Sequence, residues 1–275
     1  MSTDSTRTAR DDRAVRPGHP TAAPSAAVEV LGLCKAYALH GTLLPVLQDI
    51  SFQASPGAFV SVVGPSGSGK STLLGIIAGL EEPDEGTVTV GGGVRRLGTV
   101  AYMPQADTLL PWRSALDNAI LGLEVRGTPR HEARTRAREL FAVAGLSGFE
   151  GAYPSTLSGG MRQRVAFLRT VLTGGSVMLL DEPFGALDAL TRSAMHEWLL
   201  GLWERLSATV VLVTHDIEEA LLLSDQVLVL SPRPGRVVLS HEVPLPRPRH
   251  RAMTVSEAFV GDKALLLEAI HGGVA

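Results

Sequence analysis

The stretch GPSGSGKST, Gly64 to Thr72, limits what this chain can fold into more than any other. It meets the pattern G-x-x-x-x-G-K-[ST] at every defined position through Gly64, Gly69, Lys70 and Ser71, with Pro65, Ser66, Gly67 and Ser68 between them and Thr72 behind. The apolar run Ala58 to Val63 ahead of it reads as a buried strand, and STLLGIIAGL after it reads as a helix. Glycines let the backbone curl so that successive N–H groups face an anion, and the following helix adds its positive end. Lys70 is then expected at the β- and γ-phosphates of a nucleotide, and the Ser71 hydroxyl on Mg²⁺. A glycine-rich turn that only joins a strand to a helix asks for neither a lysine nor a hydroxyl at fixed places.

With 275 residues the chain suits one large domain or a core with a small insert. Charged residues make up 19% and the formal charge is -3, so nothing in the balance points to nucleic acid. The single cysteine, Cys34, excludes an intramolecular disulfide and a multi-cysteine metal site, which suits a reducing compartment. It is expected to act as a small apolar residue near a strand end. Apolar runs such as VMLL (177–180) and VVLV (210–213) are far shorter than the roughly 20 residues that span a bilayer. The polar N-terminus lacks the apolar centre of a secretory signal, so a cytoplasmic protein is expected.

Residues 1–26 are rich in Ser, Thr, Ala, Pro, Arg and Asp without periodicity and are expected to form a disordered tail, with the folded domain spanning 27–275. VEVLGL, LQDISFQA and AFVSVV read as strands, with Tyr37 between the first two. GTVTVGGG reads as a hairpin and GTVAYMPQ as a further strand. From about 107 to 165 the texture turns helical, which marks a candidate insert. Trp112 to Val125 has helical apolar spacing, and a second helix is expected with Thr128 as N-cap and Pro129 at its first position. The arginine-rich face of that helix reads as solvated. After it, strands alternate with helices, as in a parallel sheet with crossovers, and a proline-rich extension with a short helix is expected from about 240 to 275.

In VMLLDEP the strand delivers Asp181 and Glu182 to the C-terminal edge of the sheet, where α/β folds place ligands. Asp181 suits Mg²⁺ through its water shell, and Glu182 suits polarising the water that attacks a γ-phosphate in line. LSGGMRQ provides a second helix start, Ser158, Gly159 and Gly160, that fits an anion. One nucleotide has no evident need of both starts in one chain, so a second copy of the chain is expected.

Taken in order, these motifs resemble those of the ABC ATPases, the nucleotide-binding subunits of ABC transporters, over nearly all of residues 28–275. The resemblance implies an α/β fold: a P-loop NTPase core with a parallel sheet, an N-terminal antiparallel β subdomain and a helical insert. It implies that Tyr37 stacks on the adenine of ATP and that Gln105 contacts Mg²⁺ and the attacking water. It also makes Ser158 to Gln163 the family signature, Asp188 the contact across a homodimer, and His215 the γ-phosphate sensor. Phe167, Leu168 and Thr170 stand where many relatives have smaller or different side chains. The pairing of LLPWRSALDN with DEPFGALDALTR is similar to importer ATPases for nitrate, sulfonate, taurine and pyrimidine precursors, and the length leaves no room for the regulatory domain of sugar-importer ATPases.

The expected protein is therefore an ATP-hydrolysing subunit of an ABC importer, peripheral on the cytoplasmic membrane face. Its partners would be a second copy of itself, permease subunits and, indirectly, a solute-binding protein. Relatives that act on DNA carry long coiled coils, and those that act on ribosomes usually carry two cassettes. A small-molecule kinase would leave the signature and the His215 motif without a role.

Overall fold

The computed structural model describes residues 26–206 and 208–272. The tail expected over residues 1–26 lies, up to residue 25, outside the described residues. The chain is built on a six-stranded sheet in the order β5 (Ala101–Met103), β6 (Val177–Asp181), β7 (Thr209–Val213), β3 (Phe59–Val63), β8 (Gln226–Leu230) and β9 (Val237–Glu242). All neighbours are parallel except β9, which runs antiparallel to β8 at the edge. β3, β6 and β7 are buried along their whole length, which is why each reads as a nearly unbroken apolar run. The helices α1 (Lys70–Ile77), α5 (Gly159–Thr173), α6 (Ala189–Leu206) and α7 (Ile217–Leu223) form or precede the crossovers.

A second sheet sets β1 (Val28–Leu39) between β2 (Thr42–Ala54) and β4 (Glu85–Val90), both antiparallel to it. The first two strands run further than their apolar segments suggest. His40 and Gly41 both take positive φ, 49° and 79°, which allows a tight turn whose twist matches the strands. Tyr37 therefore lies on β1, opposite Leu44, rather than between strands. GTVTVGGG contains a tight Val90–Gly93 turn, yet its strand pairs with β1 because Val88 and Val90 are buried there. Cys34 is half-buried on β1, where its Sγ accepts the Asp49 N–H at 3.4 Å.

The helical stretch comprises α2 (Ala115–Ala119), α3 (Leu121–Val125) and α4 (Arg130–Val143), followed by α5. The single helix expected over Trp112–Val125 is two short ones, capped by the Ser114 side chain and leaving Trp112 outside. Helix α4 begins one residue later than expected, with Pro129 at its cap. Its arginines are not all solvated: Arg134 holds Asp117 with bonds of 2.8–3.1 Å, and Arg130 reaches the same carboxylate at 2.8 Å. The large side chain of Phe167 is accommodated by rings, with Phe184 at 5.6 Å and Trp198 at 5.3 Å between centroids.

Strand β9 was not expected, and α8 (Glu257–Gly272) is longer than the short helix expected. Val243, Leu245, Phe259 and Leu266 are buried with Leu221 of α7 and Val229 of β8 in one apolar cluster. The C-terminal stretch is thus part of the core packing around α7. Phe259→Ala should lower stability by about 3–5 kcal/mol, read by urea unfolding of the full chain; an unchanged midpoint would show that α8 contributes nothing to the core.

Candidate functional site

The turn from β3 into α1 closes around its own lysine. Gly67 and Gly69 take φ of 78° and 92°, in the left-handed region that side chains avoid. Lys70 Nζ donates to the carbonyls of Gly64 and Pro65 at 2.8 and 2.9 Å, with 8% of the residue exposed. Burial lowers its pKa, while the charges of Glu182 and Asp181 raise it again. The Ser68 hydroxyl is buried without a partner among the described residues.

At the end of β6, Asp181 is 2% exposed. Burial pushes its carboxyl up, a hydrogen bond from Ser71 pulls it down, and the Glu182 charge pushes it up again. Its Oδ1 has no partner among the described residues. An unmatched buried oxygen beside the Ser71 hydroxyl is a donor set that fits Mg²⁺, an ion that takes few protein ligands and completes its shell with water and phosphate. No group of three or more His, Cys, Asp or Glu that would cage a metal occurs among the described residues.

Glu182 has φ of +47°, and its Oε2 accepts the Gln105 amide at 3.1 Å and lies 3.5 Å from His215 Nδ1. One cleft of about 560 Å³ is lined by Tyr37, Ser66, Gly67, Gly69, Lys70, Ser71, Thr72, Gln105, Glu182 and His215. Tyr37 is held at its far end by its hydroxyl, which donates to Glu81. Burial and that acid raise the Tyr37 pKa.

Other expected residues stand elsewhere. Ser158 and Gly159 are exposed, with Ser158 Oγ accepting the Met161 N–H at 3.3 Å as the cap of α5. A Cβ on Gly160 would meet Leu187 Cδ2 at 3.3 Å, so this helix start lies against the loop that carries Asp188. Asp188 caps α6, accepting the Leu190 and Thr191 N–H groups and the Thr191 hydroxyl, and the Thr191 bonds lower its pKa. None of these residues lines the cleft of the same chain. Gln163 is buried and donates to the Glu182 carbonyl at 2.9 Å, so its amide faces its own chain.

Two cleft residues were not singled out from the sequence: Val46 on β2 and Arg233 in the β8–β9 turn. The run SPRPGR carried a signal, a basic residue between prolines next to a glycine, but it follows no nucleotide-binding pattern.

The sequence profile described as "ABC transporter" matches residues 47–185. The chain is 44% identical over 227 residues to the formylaminopyrimidine import ATP-binding protein ThiZ of Halalkalibacterium halodurans, covering 82% of this chain and 89% of that protein. It is 53% identical over 207 residues to the aliphatic sulfonates import ATP-binding protein SsuB 1 of Rhodococcus jostii, covering 75% and 80%. Among solved structures, the ATP-binding cassette MJ0796, dimeric and bound to ADP and Pi after hydrolysis, superposes with a TM-score of 0.72 at 31% identity, covering 80% of this chain and 100% of that one.

The arrangement around Asp181 has a testable energetic consequence. A carboxyl whose folded pKa is raised binds its proton more tightly folded than unfolded, so its contribution to stability is lost as pH rises through the folded pKa. Ionised Asp181 is therefore a net liability of the nucleotide-free fold at neutral pH. Asp181→Asn should raise the melting temperature of the nucleotide-free chain, by about 0.5–2 kcal/mol of stability, while weakening Mg²⁺-dependent nucleotide binding. A lowered melting temperature would show that the carboxylate is held by more than the Ser71 bond.

Proposed function

The chain belongs to the ABC transporter family, and we propose that it is the ATP-hydrolysing subunit of an importer, working as a homodimer beneath permease subunits on the cytoplasmic face of the membrane. The observation that carries this reading is the convergence of Lys70, Gln105, Glu182 and His215 on one cleft at the sheet edge. The backbone N–H groups from Ser66 to Thr72 cradle the polyphosphate of ATP, and Lys70 exchanges its carbonyl partners for β- and γ-oxygens. Tyr37 stacks on the adenine. Asp181, Ser71 and Gln105 would hold Mg²⁺, which offsets charge on the phosphate oxygens when bound.

Glu182 polarises the attacking water and takes its proton as the bond to the γ-phosphorus forms and the bond to the ADP oxygen breaks. His215 contacts the γ-phosphate, and its 3.5 Å separation from Glu182 sets both side chains at one end of the cleft. Ser158, Gly159, Gly160 and Asp188 act on the nucleotide of the second copy, a reading supported by their distance from the cleft of their own chain and by the dimeric state of the ATP-binding cassette MJ0796. Gln163 serves that arrangement indirectly, through the Glu182 carbonyl.

The import proteins named above support uptake of small organic solutes of the sulfonate or formylaminopyrimidine kind, delivered to the permease by a solute-binding protein. Among the described residues no helix is long and apolar enough to cross a membrane, which is consistent with a subunit that meets the bilayer through a partner. Trp112, 71% exposed ahead of α2, is the candidate anchor for a permease helix.

Shared sites are tested by mixing two inactive variants. Lys70→Ala damages the phosphate loop, and Ser158→Asp keeps a capping residue while setting a carboxylate against the γ-phosphate. Random pairing of equal amounts gives about half mixed dimers, each with one intact site, so activity should return to at most about a quarter of wild type. No return of activity once nucleotide-dependent mixed dimers are demonstrated would mean that each site lies within one chain. For the permease contact, Trp112→Ala should shift the melting temperature of the isolated chain by less than about 2 °C and weaken co-purification with the permease; a large melting shift would instead make Trp112 part of the fold.

A further inference from the structure

The turn from Ser231 to Arg236 is fixed far more firmly than an exposed connection between two strands requires. Its ends close on each other through Ser231 N–H to the Arg236 carbonyl at 2.9 Å, and Ser231 Oγ accepts the Arg236 N–H at 3.0 Å. It is stitched to β2 by Gly235 N–H to the Val46 carbonyl at 2.8 Å and Gln48 N–H to the Gly235 carbonyl at 2.9 Å. Arg236 adds a bond of 2.6 Å to Gln48 Oε1. The turn also lies directly on the phosphate loop: a Cβ on Gly235 would come within 2.1 Å of the Ser68 carbonyl oxygen, and one on Gly64 within 2.7 Å of the Leu230 carbonyl oxygen. Only glycines permit that approach.

This rigid turn holds Arg233, between Pro232 and Pro234, at the wall of the nucleotide cleft. Among the described residues no hydrogen bond or ion pair engages its guanidinium, whereas the neighbouring Arg236 is committed to Gln48. The charge balance of the cleft leaves it a role. Lys70 and Arg233 are the lysine and arginine that line it, set against Glu182 and the underlying Asp181, while the substrate brings a polyphosphate. With its backbone already fixed, this arginine gives up only side-chain freedom when it meets phosphate, and its planar donors suit phosphate oxygens. The turn lies against the Gly64–Ser68 part of the phosphate loop, which favours the polyphosphate over the base.

We propose that Arg233 is a nucleotide-binding residue, donating to phosphate oxygens of the bound substrate from the flank of the phosphate loop. This rests on the ATP-binding reading of the cleft. The test is equilibrium binding of ATP, inorganic triphosphate and adenosine to the full chain and to Arg233→Ala, Arg233→Lys and Lys70→Ala. Arg233→Ala should weaken ATP and triphosphate by about three- to tenfold. It should also flatten the salt dependence of ATP binding, leave adenosine and the melting temperature unchanged, and be partly rescued in Arg233→Lys. Unchanged ATP affinity in Arg233→Ala would overturn the proposal. So would a loss shared by adenosine but not by triphosphate, which would put the guanidinium on the base. Wild-type ATP binding by Lys70→Ala would instead sink the reading of the cleft itself.

Discussion

The backbone at Glu182 is the constraint on which the rest of the site depends. A non-glycine residue at φ of +47° carries a steric penalty of about 1–2 kcal/mol, and it persists only where the surroundings leave no alternative. Here both polar groups of the residue's backbone are engaged. Its N–H donates to the Val213 carbonyl at the end of β7, and its carbonyl accepts the Gln163 amide from α5 and the Gly185 N–H. Two neighbouring elements thus fix the peptide groups on either side of this residue. The left-handed turn lets the carboxylate leave the strand at the sheet edge, where the Gln105 amide and the His215 ring meet it. With an ordinary β conformation continued from Asp181, successive side chains would alternate across the sheet, and Glu182 would be directed away from the face that Asp181 addresses.

His215 is held by a second arrangement that reaches away from the cleft. The hydroxyl of Thr214 donates to Glu219 Oε2 at 2.7 Å and accepts the Asp216 N–H at 3.0 Å, so both residues flanking His215 are tied to the first turn of α7. Glu219 is 5% exposed, its other oxygen lies 3.6 Å from His196 Nε2, and the His196 ring meets Phe184 edge-on at 4.8 Å between centroids. Phe184 stands two residues after Glu182. Arg192 donates to the Leu187 carbonyl at 3.0 Å and approaches Asp216 Oδ2 at 3.6 Å, so the loop bearing Asp188 touches the same assembly. The loop bearing His215 and the loop bearing Asp188 are therefore joined through one helix, α6, by packed side chains rather than by backbone alone.

What could be read in advance divides along physical lines. The phosphate loop and the Asp181–Glu182 pair were legible because strand, turn and side chain are contiguous, so the motif contains its own structural context. Strands β6 and β7 were legible because burial on both faces leaves an unbroken apolar run. Strand β9 was not, because at a sheet edge it alternates half-buried and exposed residues, and Ser240, His241 and Glu242 do not resemble strand formers. The orientation of Gln163 depends on Glu182, 19 residues away, and the place of Arg233 on the bond from Gly235 to Val46, 189 residues apart, which spacing along the chain does not encode. The break between α2 and α3 is likewise invisible to periodicity, since the apolar spacing continues across Ile120.

The C-terminal stretch holds α7, the helix that follows His215, in place. Arg249 is 6% exposed and donates to the carbonyls of Leu221, Ser224, Val243 and Leu245, and burial lowers its pKa to about 10, so it remains charged at neutral pH. Arg247 donates to the Leu223 carbonyl at 2.9 Å and to Asp225 at 2.8 Å, with its guanidinium 4.1 Å from the centre of the Trp203 ring. Two cations thus occupy the C-terminal end of α7, where the free carbonyls and the negative end of the helix dipole favour them. At the other end Asp216 Oδ1 accepts the N–H groups of Glu218 and Glu219. With both ends of α7 held, a shift of the whole helix would break bonds at each. Rotation of the His215 side chain, 63% exposed just before the cap, breaks none of them. Side-chain rotation of His215 over a fixed α7 is therefore the movement that this packing leaves open.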